Sequence, residues 1–495
     1  MALSKTKYCR GLQCVKMLWL DEFMPEVADL SLINDSVFDT GNEVGDLAMG
    51  YFGEFEEVLY CDDKKKMISD TIEKINRGVN VIAEASFNYD GNFCSVDILK
   101  KDGDAYSIYE VKSSTEVKDI YIDDASYQYY VLKNLGIDIK SVNIMYLNSK
   151  YVRDDELDLS LLFLISDVTD QVKKRFDCVG NNILEFKNRL MEKNIPSIDL
   201  DLYCEKPYPC VYKSFCMKHL KKPNVFDVGK MTFNKKYSLY KDGIITFNDI
   251  LDSNVKLTDK QFNQVNSYVY NLKPIINKKN IKDFLNSLSY PLYFLDFETF
   301  QQAIPLWKGV SPYMQIPFQY SLHYINRSGG DLLHKEFLAK EGINPMRELA
   351  EQLVLDIPKG VCVLAYNMGF EKGVIKRLAN MFDDLYDHLM NIHDNIKDLM
   401  IPFMNHDFYM KEMGGSYSIK YVLPALFPND DTLNYLNLDE IHNGSEAMNA
   451  YLNLSTKSEE EIKRTRDNLL KYCYLDTLAM VKILDKLNEV IRDEG

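Results

Sequence analysis

Histidine is scarce in this chain, basic charge is in deficit, and no long uncharged apolar run occurs in its 495 residues. The seven histidines form no H-x-x-x-H or similar pair, so no histidine-paired metal site is expected. No GxxxxGK[ST] loop is present, which argues against an ATP-driven helicase, and no G-x-S-x-G is present. No stretch of about 18 or more uncharged apolar residues occurs, so no transmembrane helix is expected. The opening MALSKTKYCRGLQCVKMLWLDEF is broken by Lys, Arg and Gln and lacks the apolar centre of a secretory signal. A cytoplasmic protein is expected, and its ten cysteines then favour metal ligation or burial over disulfides. Internal repeats, low-complexity tracts and heptad runs are also missing.

A net charge of −16 argues against a general basic coat for nucleic acid, but the charge is unevenly placed. Residues 217–286 hold 13 Lys and 6 Asp with no Arg or Glu, about +7, which leaves about −23 for the remainder. Such a basic connector between acidic lobes either tracks a phosphate backbone or is a solvated linker face. The length exceeds what one hydrophobic core serves, so two or three domains are expected.

Patterning gives an α/β chain in three parts. Within residues 1–216, GNFCSVDILKKDGDAYSIYEV (Gly91 to Val111) alternates, turns at KDGD and alternates again, which predicts a β-hairpin. Asp124 to Leu135 has the three-and-four spacing of a helix. Residues 217–288 read as a helical connector, with one helix over Asp259 to Leu272. In residues 289–495, YPLYFLDFETF, PFQYSLHYI and LLHKEFLA read as strands, followed by a helix from Asn344 to Leu355 and a strand at GVCVLAYN. Helices are then expected from Phe370 to Phe382 and from Glu459 to Val490. That order is the one expected of a ribonuclease-H-like α/β domain.

Asp296 and Glu298 lie two apart at the end of an apolar strand, so both carboxylates share one face. Buried like charges that close repel unless a cation neutralises them, and oxygen-liganded divalent metals do so. Two such ions about 4 Å apart can clamp the attacking and leaving oxygens of a phosphoryl displacement. Further on, Asn367 and Glu371 enter a helix in AYNMGFEKGVIKRL, and Tyr472 and Asp476 share a helical face in KYCYLDTLAM. DFET, N-x-x-F-E and Y-x-x-x-D together resemble the three exonuclease motifs of the DnaQ-like DEDD superfamily, tyrosine-bearing subgroup. The resemblance implies that Asp296, Glu298, Glu371 and Asp476 hold two Mg²⁺ or Mn²⁺ ions. It also implies that Tyr472 positions the attacking water at a 3′ terminal phosphodiester, with Tyr472 and Glu298 as catalytic residues. The chain departs from the superfamily at Glu371, where Asp is usual. Gly414 to Leu426 fits a substrate-side turn and helix, or simply a helix start capped by Ser416 or Ser418. Asp398 reads as a nearby acid rather than a ligand.

In the predicted hairpin, Asp97 falls opposite Glu110, with Lys112 on the same face. The two acids suit a divalent cation, and the lysine suits orienting or deprotonating a water and offsetting phosphate charge. Glu84 ends the preceding segment, while Gln128, Tyr129 and Tyr130 lie on the following helix. The order resembles the PD-(D/E)XK nuclease core of the RecB-like group, which implies metal ligation by Asp97, Glu110 and Glu84 and catalytic roles for Lys112 and Gln128. The upstream histidine of many such nucleases is missing, and Asn42 and Glu43 stand where it would be sought.

Cys204, Cys210 and Cys216 are evenly spaced in YCEKPYPCVYKSFC, which suggests a soft metal or an iron–sulfur cluster. Cys14 is the best fourth ligand, with Cys9 second. RecB-like nucleases of the CRISPR-associated and AddB types place one cysteine before the core and three after it, and the resemblance implies a [4Fe–4S] cluster that closes a long loop. Zn²⁺ is the competing reading. Cys61, Cys94, Cys178, Cys362 and Cys473 read as ordinary buried or half-buried residues.

Over nearly its full length the chain resembles a bacterial family that joins a RecB-like, iron–sulfur nuclease half to a DnaQ-like half. The landmarks are GLQCVKMLWL, EVKSS, the three-cysteine run and YFLDFETF. The expected function is a dual-site DNA nuclease of repair, recombination or defence, acting on single strands or ends. An RNA 3′–5′ exonuclease and a nucleic-acid-binding or assembly protein with degenerate sites are the alternatives. Nucleic acid is the expected partner, and surface tyrosines are candidates for base stacking.

Overall fold

The computed structural model describes residues 2–32 and 35–492 of a mixed α/β protein. The chain divides into two compact units. The first comprises Met1–Leu220 with Gln302–Tyr313, and the second comprises Lys221–Gln301 with Met314–Gly495. The Lys-rich connector therefore packs as part of the second unit. Among the described residues, no helix is long and apolar enough to cross a membrane.

The first unit is built on a seven-stranded sheet: β1 (Leu3–Ser4), β2 (Glu56–Glu57), β3 (Val81–Tyr89), β4 (Asn92–Asp102), β5 (Ala105–Lys112), β6 (Ile139–Leu147) and β7 (Phe163–Asp167). The order is β2-β3-β4-β5-β6-β7, with β1 also paired to β4. β3, β4 and β5 form an antiparallel meander, and β5 and β6 run parallel. A parallel pair needs a crossover, and the helix Asp119–Asn134 supplies it. It begins five residues earlier than the apolar spacing predicts and packs against the sheet and the helix Thr169–Arg189. Tyr129 meets Phe176 of that second helix edge-on and Tyr130 meets it at a tilt, so they serve the core.

The register fixes the site. Ile98 pairs with Tyr109, so Asp97 falls opposite Glu110 as expected. Ala83 pairs with Ile98 and Ala85 with Val96, so Glu84 falls opposite Asp97 on the other side. Glu84 adopts φ +55° in mid-strand. A β strand interior rarely tolerates this in a non-glycine residue, and such strain gathers at functional sites.

The second unit contains β8 (Ile275–Ile276), β9 (Leu292–Phe300), β10 (Ile316–Ile325), β11 (Leu332–Leu338), β12 (Cys362–Ala365), β13 (Ile396–Asp398) and β14 (Phe408–Tyr409). Its main sheet runs β11-β10-β9-β12-β13, and β8 and β14 form a separate pair. β11, β10 and β9 are antiparallel, whereas β12 and β13 run parallel to β9. The apolar run Leu292 to Leu295 is buried throughout, as a central strand requires. The helices Met346–Asp356 and Gly369–Met381 lie within two residues of their predicted bounds. The long helix Glu459–Arg492 is tied to β10 where Gln319 donates to the Leu469 carbonyl (2.9 Å) and Ser321 meets Thr477 (2.7 Å). In the connector, the helices Phe233–Lys241, Phe247–Asp252 and Asp259–Val269 enclose a small core around Val225, Phe247 and Val265.

Candidate metal centres

In the second unit, Asp296 and Glu298 project from β9 and meet Asp476 of the long helix. One oxygen from each lies within 4.8 Å of the others, and among the described residues no other three His, Cys, Asp or Glu ligand atoms gather so closely. The pairing of β10 with β9 shifts register between Pro317 and Gln319, beside Glu298; bulges of this kind often re-aim a side chain next to a site. Burial pushes all the acids up, and repulsion from the neighbouring acids adds to it at Asp296 and Glu298. Asp296 rises well above the carboxylate range, Glu298 to about 8 and Asp476 to about 6. Lys420 is the cation whose charge opposes this at Glu298 and Asp476.

Glu371 sits in the first turn of the helix Gly369–Met381 and is 2 % exposed. It lies outside the 4.8 Å group but is near enough for its charge to act on Asp296 and Glu298. Burial raises its carboxyl to about 8, and its Oε2 has no hydrogen-bond partner. The chain reaches this helix through Asn367, at φ +74°, which is held by Asp398. The Asp398 carboxylate accepts from the backbone N–H groups of Asn367 (2.9 Å), Met368 (3.2 Å) and Met400 (2.9 Å). That accounts for the nearby acid: it is a backbone clamp on the turn that delivers Glu371.

Tyr472 lies one helical turn before Asp476, and its hydroxyl is near enough to hold that carboxylate's pKa down. Tyr435 donates to the same carboxylate at 2.6 Å. Burial and the surrounding carboxylates keep both phenols protonated, so both are donors at any physiological pH. Sequence reasoning missed Tyr435, whose 3₁₀ turn (Tyr435–Asn437) carries no local signature. It also missed Lys420, although a lysine opening the helix Ile419–Leu426 after GGSYS was a visible hint. Ser418 occupies the N-cap position without a side-chain cap bond, and Ser416 Oγ accepts only from the Ser418 N–H (3.2 Å). The helix start expected at one of the two serines is therefore found at Ser418, without a side-chain cap bond.

In the first unit, Glu110 is 1 % exposed and carries two ammonium groups, Lys112 (2.8 Å) and Lys5 (2.6 Å), on one oxygen. Gln128 donates to its other oxygen at 2.6 Å and to the Ser95 carbonyl at 3.0 Å. Burial pushes this carboxyl up, but the two lysines outweigh it and bring it down to about 2. Asp97 accepts from the Val111 N–H (2.6 Å), and burial and Glu110 raise it to about 6. Burial and Asp97 raise Glu84 to about 8. Lys112 also pairs with Asp124 at 2.6 Å. Sequence reasoning missed Asp124, though it precedes Gln128 by one helical turn. It also missed Lys5, which stands 105 residues from its partner and gives no local signal. Glu43 is exposed on the helix Asp35–Met49.

Cys14, Cys204, Cys210 and Cys216 line one small pocket. Cys14 lies near Cys216, and Cys210 lies near the other three, closely enough for their thiolates to repel. Burial raises the Cys14 thiol and pushes Cys210 up to about 12. No three cysteine sulfurs come within 4.8 Å of one another among the described residues. Cys9 points elsewhere, its thiol donating to Asp124 at 2.9 Å. Cys178, expected to be buried or half-buried, is exposed.

A family model described as a domain of unknown function (DUF2779) matches residues 293–418. That span includes Asp296, Glu298 and Glu371 and stops short of Tyr472 and Asp476. No curated protein and no solved structure matches the chain.

Proposed function

We propose that the protein is a metal-dependent nuclease whose second unit trims nucleic acid, DNA in the first instance, from the 3′ end. The observation that carries this reading is the convergence of Asp296, Glu298 and Asp476 within 4.8 Å, with the buried and unpartnered Glu371 Oε2 beside them. Three acids so placed repel one another strongly without cations, and hard divalent ions take oxygen ligands of this kind. The sheet order, three antiparallel strands followed by two parallel ones, supports the ribonuclease-H-like reading. Divalent ions held by Asp296, Glu298, Asp476 and Glu371 would neutralise phosphate charge and supply an activated water. Tyr472 and Tyr435 hold the Asp476 carboxylate in place, and Tyr472, kept protonated, can donate to a water or phosphate oxygen. Lys420 offers a positive charge on the approach to the acids.

The first unit fits a second nuclease centre of PD-(D/E)XK type. Its helix, three-strand meander, helix and parallel strand support that fold, and Glu84, Asp97 and Glu110 form its acid line across adjacent strands. Lys112 lies within reach of two acids, as a water-orienting lysine requires. The four cysteines gather in one pocket, as a soft-metal site requires, and the resemblance to the RecB-like nucleases favours a cluster over a single ion. We read this pocket as a [4Fe–4S] site.

The test is cleavage of end-labelled single-stranded and duplex DNA and RNA by anaerobically purified protein with Mg²⁺ or Mn²⁺. Ladders from the 3′ end that vanish with Asp296→Ala support the reading, and residual cutting lost only on adding Lys112→Ala belongs to the first unit. Ladders unchanged by Asp296→Ala would sink the assignment.

A further inference from the structure

The second unit contains an open cleft of about 740 Å³ that the acid cluster does not use. One wall comes from the Lys-rich connector, with Lys222, Lys230 and Tyr268. The other comes from residues 411–421, with Lys411 and Tyr421. The two walls are locked together by Gln264. Its Oε1 accepts from the Gly229 N–H (2.8 Å), and its Nε2 donates to the carbonyls of Asp227 and Gly414 (2.9 Å each). The backbones pass so closely that a Cβ on Gly229 would stand 2.5 Å from the Gly415 carbonyl oxygen. The cleft is therefore preformed.

Its chemistry is that of a phosphodiester track. Three lysines line it against one acid, Asp227, whose carboxylate is already engaged by the Asn224 N–H (2.7 Å). Lys230 lies 4.7 Å from the centre of the Tyr417 ring. Tyr268 and Tyr421 are 48 % and 55 % exposed, large ring faces that folding leaves uncovered. Lysines that follow a backbone, interleaved with exposed rings, are the means by which single strands are held without sequence preference. Tyr421 lies on the helix Ile419–Leu426, which packs against the long helix that carries Asp476, so one element borders both the cleft and the acid-bearing helix.

We propose that this cleft binds a single-stranded nucleic acid, with Lys222, Lys230 and Lys411 on its phosphates, Tyr268 and Tyr421 against its bases, and its 3′ end directed to the acid cluster. The direction of the strand rests on the nuclease reading; the track itself does not.

The test is fluorescence anisotropy of the full-length protein with labelled 12-nucleotide single-stranded DNA, single-stranded RNA and a blunt duplex, with Ca²⁺ replacing Mg²⁺ to hold back hydrolysis. Two variants are compared across a salt series: Lys222→Glu/Lys230→Glu/Lys411→Glu, and Tyr268→Ala/Tyr421→Ala. The lysine variant should bind single strands at least about 100-fold more weakly, and its log–log salt slope should fall by about 2, near 0.7 for each lost phosphate contact. The tyrosine variant should lose about tenfold or more with its slope unchanged, and the duplex should bind more weakly than either single strand. The DNA and RNA arms identify which strand is preferred. Melting temperatures within a few degrees of the unmutated protein show that both variants fold, as the exposure of the two tyrosines leads one to expect. Unmutated affinity and slope in both folded variants overturn the track, as does a tyrosine variant without effect on single strands. Because binding is read without turnover, a protein that hydrolyses nothing can still bear out the track. One that trims 3′ ends while both variants bind normally refutes the track alone.

Discussion

If Asp296, Glu298, Asp476 and Glu371 receive divalent cations, metal uptake must expel protons. Glu298 and Glu371 are raised to about 8, Asp476 to about 6, and Asp296 well above its usual range, all by burial, with the other acids of the cluster adding to it at Asp296 and Glu298 and Asp398 adding to it at Glu371. The cations and donors that face them are Lys420, Tyr435, Tyr472 and the Cys473 thiol, which faces Asp296 Oδ2 at 3.9 Å, and both phenols stay protonated. At pH 6 the cluster is therefore largely neutral. Each proton that a cation displaces steepens its apparent affinity about tenfold per pH unit, or about 1.4 kcal/mol. From pH 6 to pH 8, Mn²⁺ affinity should rise at least about 100-fold and then level off. The same shifts set the metal-free stability. These folded-state values exceed the unfolded ones, so the folded chain holds protons that the unfolded chain has lost. Stability falls as pH rises from about 4.5 to about 8, and Mn²⁺ restores it. Titration calorimetry at pH 7 in two buffers of different ionisation enthalpy counts the protons released, and the difference between the unmutated protein and Asp296→Asn isolates this site from the first unit. About three protons are expected, from Asp296, Glu298 and Glu371, since Asp476 is already mostly ionised at pH 7. An affinity flat between pH 6 and 8, with no proton release, would refute the reasoning.

Lys5→Met should strengthen Mn²⁺ binding in the first unit about five- to tenfold, measured on the Asp296→Asn background, because an ammonium that competes for Glu110 is gone; weaker binding would refute that competition. The same change should move Glu110 up from about 2, removing stability that is present above about pH 4.5 and lost as pH falls. Tyr472→Phe should lower kcat about 10- to 100-fold while Mn²⁺ affinity changes less than about threefold, since the phenol donates rather than ligates. Asp398→Ala should cost about 2–4 kcal/mol in urea unfolding, because three backbone N–H groups lose a charged acceptor. Cys14→Ser should abolish visible absorbance in anaerobically isolated protein and Cys9→Ser should preserve it; the reverse would reassign the fourth ligand.

What the sequence made legible was local. Alternation of period two placed Asp97 against Glu110 and put Asp296 and Glu298 on one face, and helical spacing joined Tyr472 to Asp476. These relations need only the pleat and the helical turn, and the structure reproduces their geometry. The illegible parts were those that depend on distant chain. Lys5 reaches Glu110 across 105 residues, and Tyr435 reaches Asp476 from an irregular turn. The strand Ile396–Asp398 escaped because three residues are too few to show a period, and parallel pairing to β12 alone defines it. Asp398 was visible as an acid, but its role as a backbone clamp follows only from the sheet that sets it beside Asn367. The even spacing of Cys204, Cys210 and Cys216 was plain in the chain, whereas their meeting with Cys14 in one pocket depends on the fold.

The two acid sites differ in how their charge is met, and this bears on what each needs in order to work. In the first unit Glu110 is balanced from within by Lys5 and Lys112, and only Asp97 and Glu84 are left raised. In the second unit the exposed Lys420 acts on Glu298 and Asp476 alone, and all four acids are raised. An internally balanced site holds its geometry without metal and binds a cation in competition with its own lysines. A site left short of positive charge holds protons in place of metal and changes its charge state on loading. The second site should therefore respond to pH and metal supply together. The first should respond chiefly to whether Lys5 remains on Glu110.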